Sequence, residues 1–121
     1  MTQIMIVDDS PTDTHLLKKL LEKNGFNTLT ASDADEGIRV ARREKPDLIL
    51  MDVVMPGLNG FQATRELSSD PDTSKIPVII VTRKDQPVDR VWGMRQGACN
   101  YVTKPIKENT LLNLIKEALA A

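Results

Sequence analysis

Five side chains able to do chemistry stand at the ends of short apolar runs. Asp8 and Asp9 follow Ile4–Val7, Asp52 follows Leu48–Met51, Thr82 follows Val78–Val81, and Lys104 follows Tyr101–Thr103. Carboxylates packed together repel, and their protons are harder to lose unless a cation sits among them. A hard divalent ion answers that need. Mg2+ takes oxygen ligands and keeps several waters, so one to three carboxylates suffice. His15 and Cys99 are each alone, which offers no zinc-type cluster. Acids around a metal, with an ammonium and a hydroxyl opposite, suit a phosphoryl group. The metal and Lys104 neutralise its oxygens, and Thr82 donates a hydrogen bond. Asp52 is then the nucleophile, because a carboxylate can form an aspartyl phosphate.

That chemistry requires elements that bring the five residues together. Five apolar runs read as strands: Gln3–Val7, Asn27–Ala31, Asp47–Met51, Pro77–Val81 and Cys99–Thr103. IMIV, LILM and VIIV are apolar without alternation, the pattern of strands buried on both faces of a parallel sheet. Helical patterns lie between them. The first opens at Ser10-Pro11, shows Leu16, Leu17, Leu20 and Leu21 on one face, and stops at Asn24-Gly25. The second starts at Ser32 with Asp35 three residues on, a capping-box-like opening, and turns Ile38 and Ala41 inward. The third runs from about Asn59 to Leu67, and the fourth spans about Val88–Gln96 between Pro87 and Gly97. The last buries Leu111, Leu112, Ile115 and Leu119.

A strand followed by a helix, repeated to the end of the chain, implies right-handed crossovers and a doubly wound parallel sheet with helices on both faces. A mixed fold built from hairpins needs two-residue turns between strands, and none is present. In a parallel sheet the C-terminal strand ends share one edge, where ligands bind. One Asp after one strand is ordinarily a turn or cap residue. The joint placement of Asp8, Asp9, Asp52, Thr82 and Lys104 on four strand ends points to a site. Ala31-Ser32, after the second strand, carries nothing beyond a cap.

Composition narrows the function further. The chain has 121 residues, enough for one domain, which we place over 1–121. Sixteen Lys and Arg against seventeen Asp and Glu give a net charge of −1, unlike a general nucleic-acid binder. Phe26, Phe61, Trp92 and Tyr101 are too few for a base-stacking platform. A single cysteine excludes an internal disulfide and fits a reducing compartment. No apolar run reaches the ~20 residues of a membrane helix and no signal peptide is evident. A cytoplasmic monomer without membrane insertion is expected.

The marks IVDDS (Ile6 to Ser10), LILMDVVMPGLNG (Leu48 to Gly60), VIIVT (Val78 to Thr82) and YVTKP (Tyr101 to Pro105) resemble the response-regulator receiver domain, the CheY-like family, across the whole chain. GLNGFQATREL and VWGMRQGACNYVTKP further resemble regulators of type IV pilus twitching motility, the PilH type. The resemblance implies a five-stranded, flavodoxin-like sheet in the order 2-1-3-4-5 with five helices. It implies that Asp52 accepts a phosphoryl group from a phosphohistidine of a partner histidine kinase, with Mg2+ as cofactor. Asp9 would hold the ion directly, Asp8 partly through water, Asp52 through a carboxylate oxygen and Val54 through its carbonyl. Lys104 would pair with the phosphate and Asp52, while Thr82 and Tyr101 would be the switch pair. The Lys104–Pro105 bond is expected to be cis, since X-Pro is the only cheap cis peptide. The charge added at Asp52 would change a surface on the fourth helix, fifth strand and fifth helix. The chain ends soon after its fifth helix, so output is expected through protein binding or as a phosphate sink.

Two departures stand out. Ile106 replaces a Phe common after Lys-Pro, a packing variant. Arg83 follows Thr82, where many receivers have a small residue; it is placed either to shield the phosphoryl group or to point to solvent. Trp92 could anchor a partner or cover the core edge. His15 reads as a surface residue and Cys99 as a buried small apolar group. Arg42-Arg43-Glu44-Lys45 reads as a solvated helix end. Other readings remain. An aspartate-nucleophile, Mg-dependent phosphatase of the haloacid-dehalogenase kind wants a second acid two residues after the nucleophile, where this chain has Val54. A flavin or nucleotide carrier would cradle phosphate with a Gly-rich loop, whereas DDSPTDT is acidic and has none. A protein-binding module that is never phosphorylated is the third.

Overall fold

The apolar runs are central because they have no polar face to offer water. In the computed structural model, which describes residues 1–121, they form β1 (Gln3–Val7), β2 (Asn27–Ala31), β3 (Leu48–Met51), β4 (Val78–Thr82) and β5 (Asn100–Thr103). All pairings are parallel and the order is β2-β1-β3-β4-β5, as expected. Successive side chains point to opposite faces. Ile4, Ile6, Leu48, Leu50, Ile79 and Val81 thus face α1 (Pro11–Lys23) and α5 (Glu108–Ala120), which contribute Leu17, Leu21, Leu111 and Ile115. Met5, Val7, Ile49 and Met51 face α2 (Ala34–Glu44) and α3 (Gly60–Ser69), which contribute Ile38, Ala41, Ala63 and Leu67. Each fully buried aliphatic side chain contributes roughly 1.5–3 kcal/mol. A smaller cluster of Val53, Phe61, Ile80, Ala98 and Tyr101 lies toward α4 (Pro87–Arg95).

The register lines up the strand ends. Val7 lies opposite both Ala31 and Met51, and Thr82 opposite Thr103. The ladders then run one residue further. Asp8 N–H donates to the Ala31 carbonyl, Asp52 N–H to Val7 and Lys104 N–H to Thr82, at 3.1, 2.9 and 2.8 Å. Three of the five chemical residues are therefore fixed at the backbone by the sheet itself. The Lys104–Pro105 peptide is cis, as expected.

Several sequence expectations shift. Thr82 belongs to β4, whereas Asp47, Pro77 and Cys99 lie just outside their strands. Leu16 is 59% exposed, because α1 turns a narrow i, i+4 stripe of Leu17 and Leu21 to the sheet. Leu119, in the last turn of α5, is only half-buried. The cap of α2 is Asp33, not Ser32: its side chain accepts from Glu36 N–H, while the Glu36 carboxylate accepts from Ser32 N–H. Pro87 opens α4. Cys99 is exposed, since it precedes an edge strand. His15 is exposed, and so is the Arg42–Lys45 helix end. Trp92 is 49% exposed and does not seal the core edge.

Candidate functional site

The acidic strand ends meet around one ammonium. Lys104 Nζ lies 2.7 Å from Asp8 Oδ2, 2.9 Å from Asp13 Oδ2 and 3.0 Å from Asp52 Oδ2. These three contacts match the three N–H donors of an ammonium. Lys104, Asp8 and Asp52 side chains are all nearly buried. The second oxygens of the two strand-end acids are held locally. Ser10 N–H donates to Asp8 Oδ1 and Val54 N–H to Asp52 Oδ1. Both carboxylates are thus oriented from two sides, by a backbone turn and by Lys104.

Charge balance explains the titration behaviour. Burial raises the Asp8 pKa and the neighbouring Asp52 charge adds to it, against the bonds from Lys104 and Ser10. Burial alone would lower the Lys104 pKa; the bonds to Asp8, Asp13 and Asp52 outweigh it and raise that pKa above its ordinary value. Four carboxylates, counting exposed Asp9, therefore stand against Lys104 and one further cation, Arg83.

Asp13 is a member of the site that sequence reasoning missed. An acid in the first turn of a helix reads as a dipole partner. Here Ser10 Oγ caps α1 by accepting from Asp13 N–H, and the Asp13 side chain turns back to the sheet edge. Arg83 is 68% exposed but tethered to Asp13. Its guanidinium makes a two-pronged pair with Asp13, at 2.7 and 3.3 Å. The bonds from Arg83, then Lys104, hold the Asp13 carboxyl down at about 2.

Gly60 is a second missed residue. A Cβ there would run into the Asp52 carbonyl and the Val53 Cα, so α3 can start against the Asp52 backbone only with glycine. Asn59 and Gln62 fix that start with a reciprocal capping box.

Thr82 and Tyr101 both bond to the backbone of Lys84. Thr82, fully buried, accepts from Lys84 N–H at 3.5 Å, and the Tyr101 hydroxyl donates to the Lys84 carbonyl at 2.8 Å. The Tyr101 ring lies inside, against Ile80 and Gly93. Burial, with Asp89, Asp52 and Asp85 adding charge, pushes its hydroxyl up to about 12. Arg90 donates to the Tyr101 carbonyl and ties α4 to β5.

The sheet thus gathers Asp8, Asp52 and Lys104 in direct contact, with Thr82 one strand over at the same edge. Asp9 is on the rim, exposed. Val54 is exposed just past β3 and bonds to Asp52 through its N–H. No three acids form a ready ring for a metal, because Asp8 and Asp52 are turned to Lys104. The donor set nevertheless suits a hard ion: it is all oxygen, and buried Asp8 loses less by ionising beside a dication.

Comparison with known proteins agrees with this geometry. The model of the response regulator receiver domain matches residues 4–116. The chain is 59% identical to the protein PilH of Pseudomonas aeruginosa, over 99% of both chains. It is 38% identical to the response regulator PleD of Caulobacter vibrioides, covering 94% of this chain and 25% of PleD. A putative response regulator from Chloroflexus aurantiacus superposes with a TM-score of 0.95 at 26% identity, over 99% of this chain and 98% of that one. The receiver domain of a sensor histidine kinase from Pseudomonas aeruginosa, solved with a magnesium ion coordinated in its active site cleft, gives 0.92 at 28% identity, over 99% and 98%. The chain belongs to the response regulator receiver domain family.

Proposed function

We propose that this receiver domain is a phosphoacceptor in a two-component relay, with Asp52 as the accepting group. A partner histidine kinase presents a phosphohistidine. The phosphorus–nitrogen bond breaks as an Asp52 carboxylate oxygen bonds to phosphorus, and the imidazole leaves with the electron pair. The observation that carries this reading is the contact of one buried ammonium with both Asp8 and Asp52. It supplies positive charge beside the oxygen that would carry the phosphoryl group. Asp8, Asp9, Asp52 and the Val54 carbonyl are the groups to hold Mg2+, which would neutralise phosphoryl charge when bound. Thr82 donates its hydroxyl to a phosphoryl oxygen once that group is in place. Its loss as acceptor for Lys84 N–H then reaches Tyr101, bonded to the carbonyl of that same residue. Lys104 keeps one N–H for the new anion and the others for Asp8 and Asp13.

The output surface would be α4, β5 and α5. Val88, Val91, Trp92 and Met94 of α4 are all substantially exposed. Phosphorylation would switch this face for protein binding, or the domain would drain phosphoryl groups from the kinase. The similarity to PilH, with the resemblance of GLNGFQATREL and VWGMRQGACNYVTKP to twitching-motility regulators, supports a role in type IV pilus twitching motility. A cytoplasmic location goes with that reading. No helix is long and apolar enough to cross a membrane. Many turnovers on a phosphate ester are not expected, because Val54 stands where a second acid would be needed. Incubation with acetyl phosphate and Mg2+, followed by intact mass measurement, tests the proposal. One added phosphoryl group, absent when chelator replaces Mg2+ from the start, supports it; an unchanged mass rules it out.

A further inference from the structure

Arg83 reaches across 70 positions of sequence to Asp13, which also accepts from Lys104. Asp13 is unlike the other acids of the site. Asp8, Asp9 and Asp52 lie at the ends of β1 and β3, whereas Asp13 sits on α1 and is tied to two cations. Its side chain is 12% exposed and stays ionised at neutral pH. An anionic phosphodonor approaching Asp52 would meet its charge. Lys104 is the only cation buried in the pocket, and Asp13 occupies one of its three N–H groups.

Resting on the phosphoacceptor reading of Asp52, we infer that Arg83 is a positioning residue that neutralises Asp13 and so leaves Lys104 able to serve the incoming phosphoryl group. Arg83 acts through Asp13: its two prongs hold that carboxylate at the wall. Without Arg83, Asp13 leans on Lys104 alone. The pocket then gains one uncompensated negative charge beside the path of the donor. Arg83 is 68% exposed, so water weakens the effect, and salt weakens it further.

The test is the initial rate of Asp52 labelling by acetyl phosphate with Mg2+, followed by intact mass. It compares wild type, Arg83→Ala, Arg83→Lys, Asp13→Asn and the Arg83→Ala/Asp13→Asn double variant. A surface-screened charge at this range is expected to slow Arg83→Ala about three-fold at low ionic strength. The difference should vanish near ~1 M salt, where the Debye length is ~3 Å. Arg83→Lys should keep the wild-type rate, and in the Asp13→Asn background Arg83→Ala should have no further effect. Equal rates for wild type and Arg83→Ala overturn the inference. So does the same slowing in the Asp13→Asn background, which would mean that Arg83 acts on the donor directly. A wild type that takes no label at all overturns the phosphoacceptor reading itself, and the inference with it.

Discussion

Replacing Lys104 by Met keeps much of the apolar stem and removes only the ammonium. The three carboxylates at 2.7, 2.9 and 3.0 Å then face one another without their shared cation. At such distances and an effective dielectric near ~20, each pair attraction is of order 5 kcal/mol before desolvation is subtracted. Desolvation cancels much of that, and breaking a buried pair by removing one partner costs about 3–5 kcal/mol. A small domain has only about 5–15 kcal/mol to lose. In the presence of a chelator, Lys104→Met is therefore expected to unfold in urea at a much lower midpoint than wild type. Mg2+ should recover more stability in the variant, because the ion no longer competes with an ammonium for Asp8 and Asp52. At a concentration ~100 times its Kd, a ligand that binds only the folded state adds about 2.7 kcal/mol. The assay is urea unfolding of both proteins with chelator and across a Mg2+ series. Equal stability in chelator, or equal Mg2+-induced shifts, would refute the reasoning.

Gly60→Ala is expected to destabilise by about 1–3 kcal/mol or more, because the added methyl meets backbone rather than a movable side chain. Asp52 labelling should fall with it; a variant with wild-type stability and labelling would contradict the packing reading. Tyr101, the single tyrosine, should show tyrosinate absorbance with a midpoint near 12 rather than the ~10 of a free side chain. Between those values the unfolded chain loses the proton while the folded one keeps it. Stability therefore falls as pH rises from ~10 toward 12, and a midpoint near ~10 would place the ring outside.

Three strands could be read directly from apolar runs without alternation, and with them the residues at their ends. Asp8 and Asp52 were legible for that reason: a polar group directly after a buried strand has nowhere to go but the edge. Lys104 was legible as a group at the same edge. Its contact with Asp8 was not, because β5 and β1 are separated by β3 and β4, and strand order came from resemblance. Asp13 and Arg83 were harder. A first-turn acid and a post-strand arginine each have an ordinary solvent-facing role, and only the closeness of two loops in space makes them a pair. Gly60 had a weak signal, a glycine directly after an Asn cap, but its need comes from a backbone approach that no periodicity reports. Leu16 and Cys99 went the other way. Apolar type suggested burial, and the narrow stripe of α1 and the edge position of β5 left both exposed.

The central claim is that Asp52 carries the phosphoryl group, and one substitution addresses it directly. Asp52→Asn keeps the shape of the side chain and removes the nucleophilic charge. Intact masses of wild type and variant are compared after exposure to acetyl phosphate and Mg2+. The expected result is one added phosphoryl group on wild type and none on Asp52→Asn. Equal labelling of the two proteins would contradict the claim.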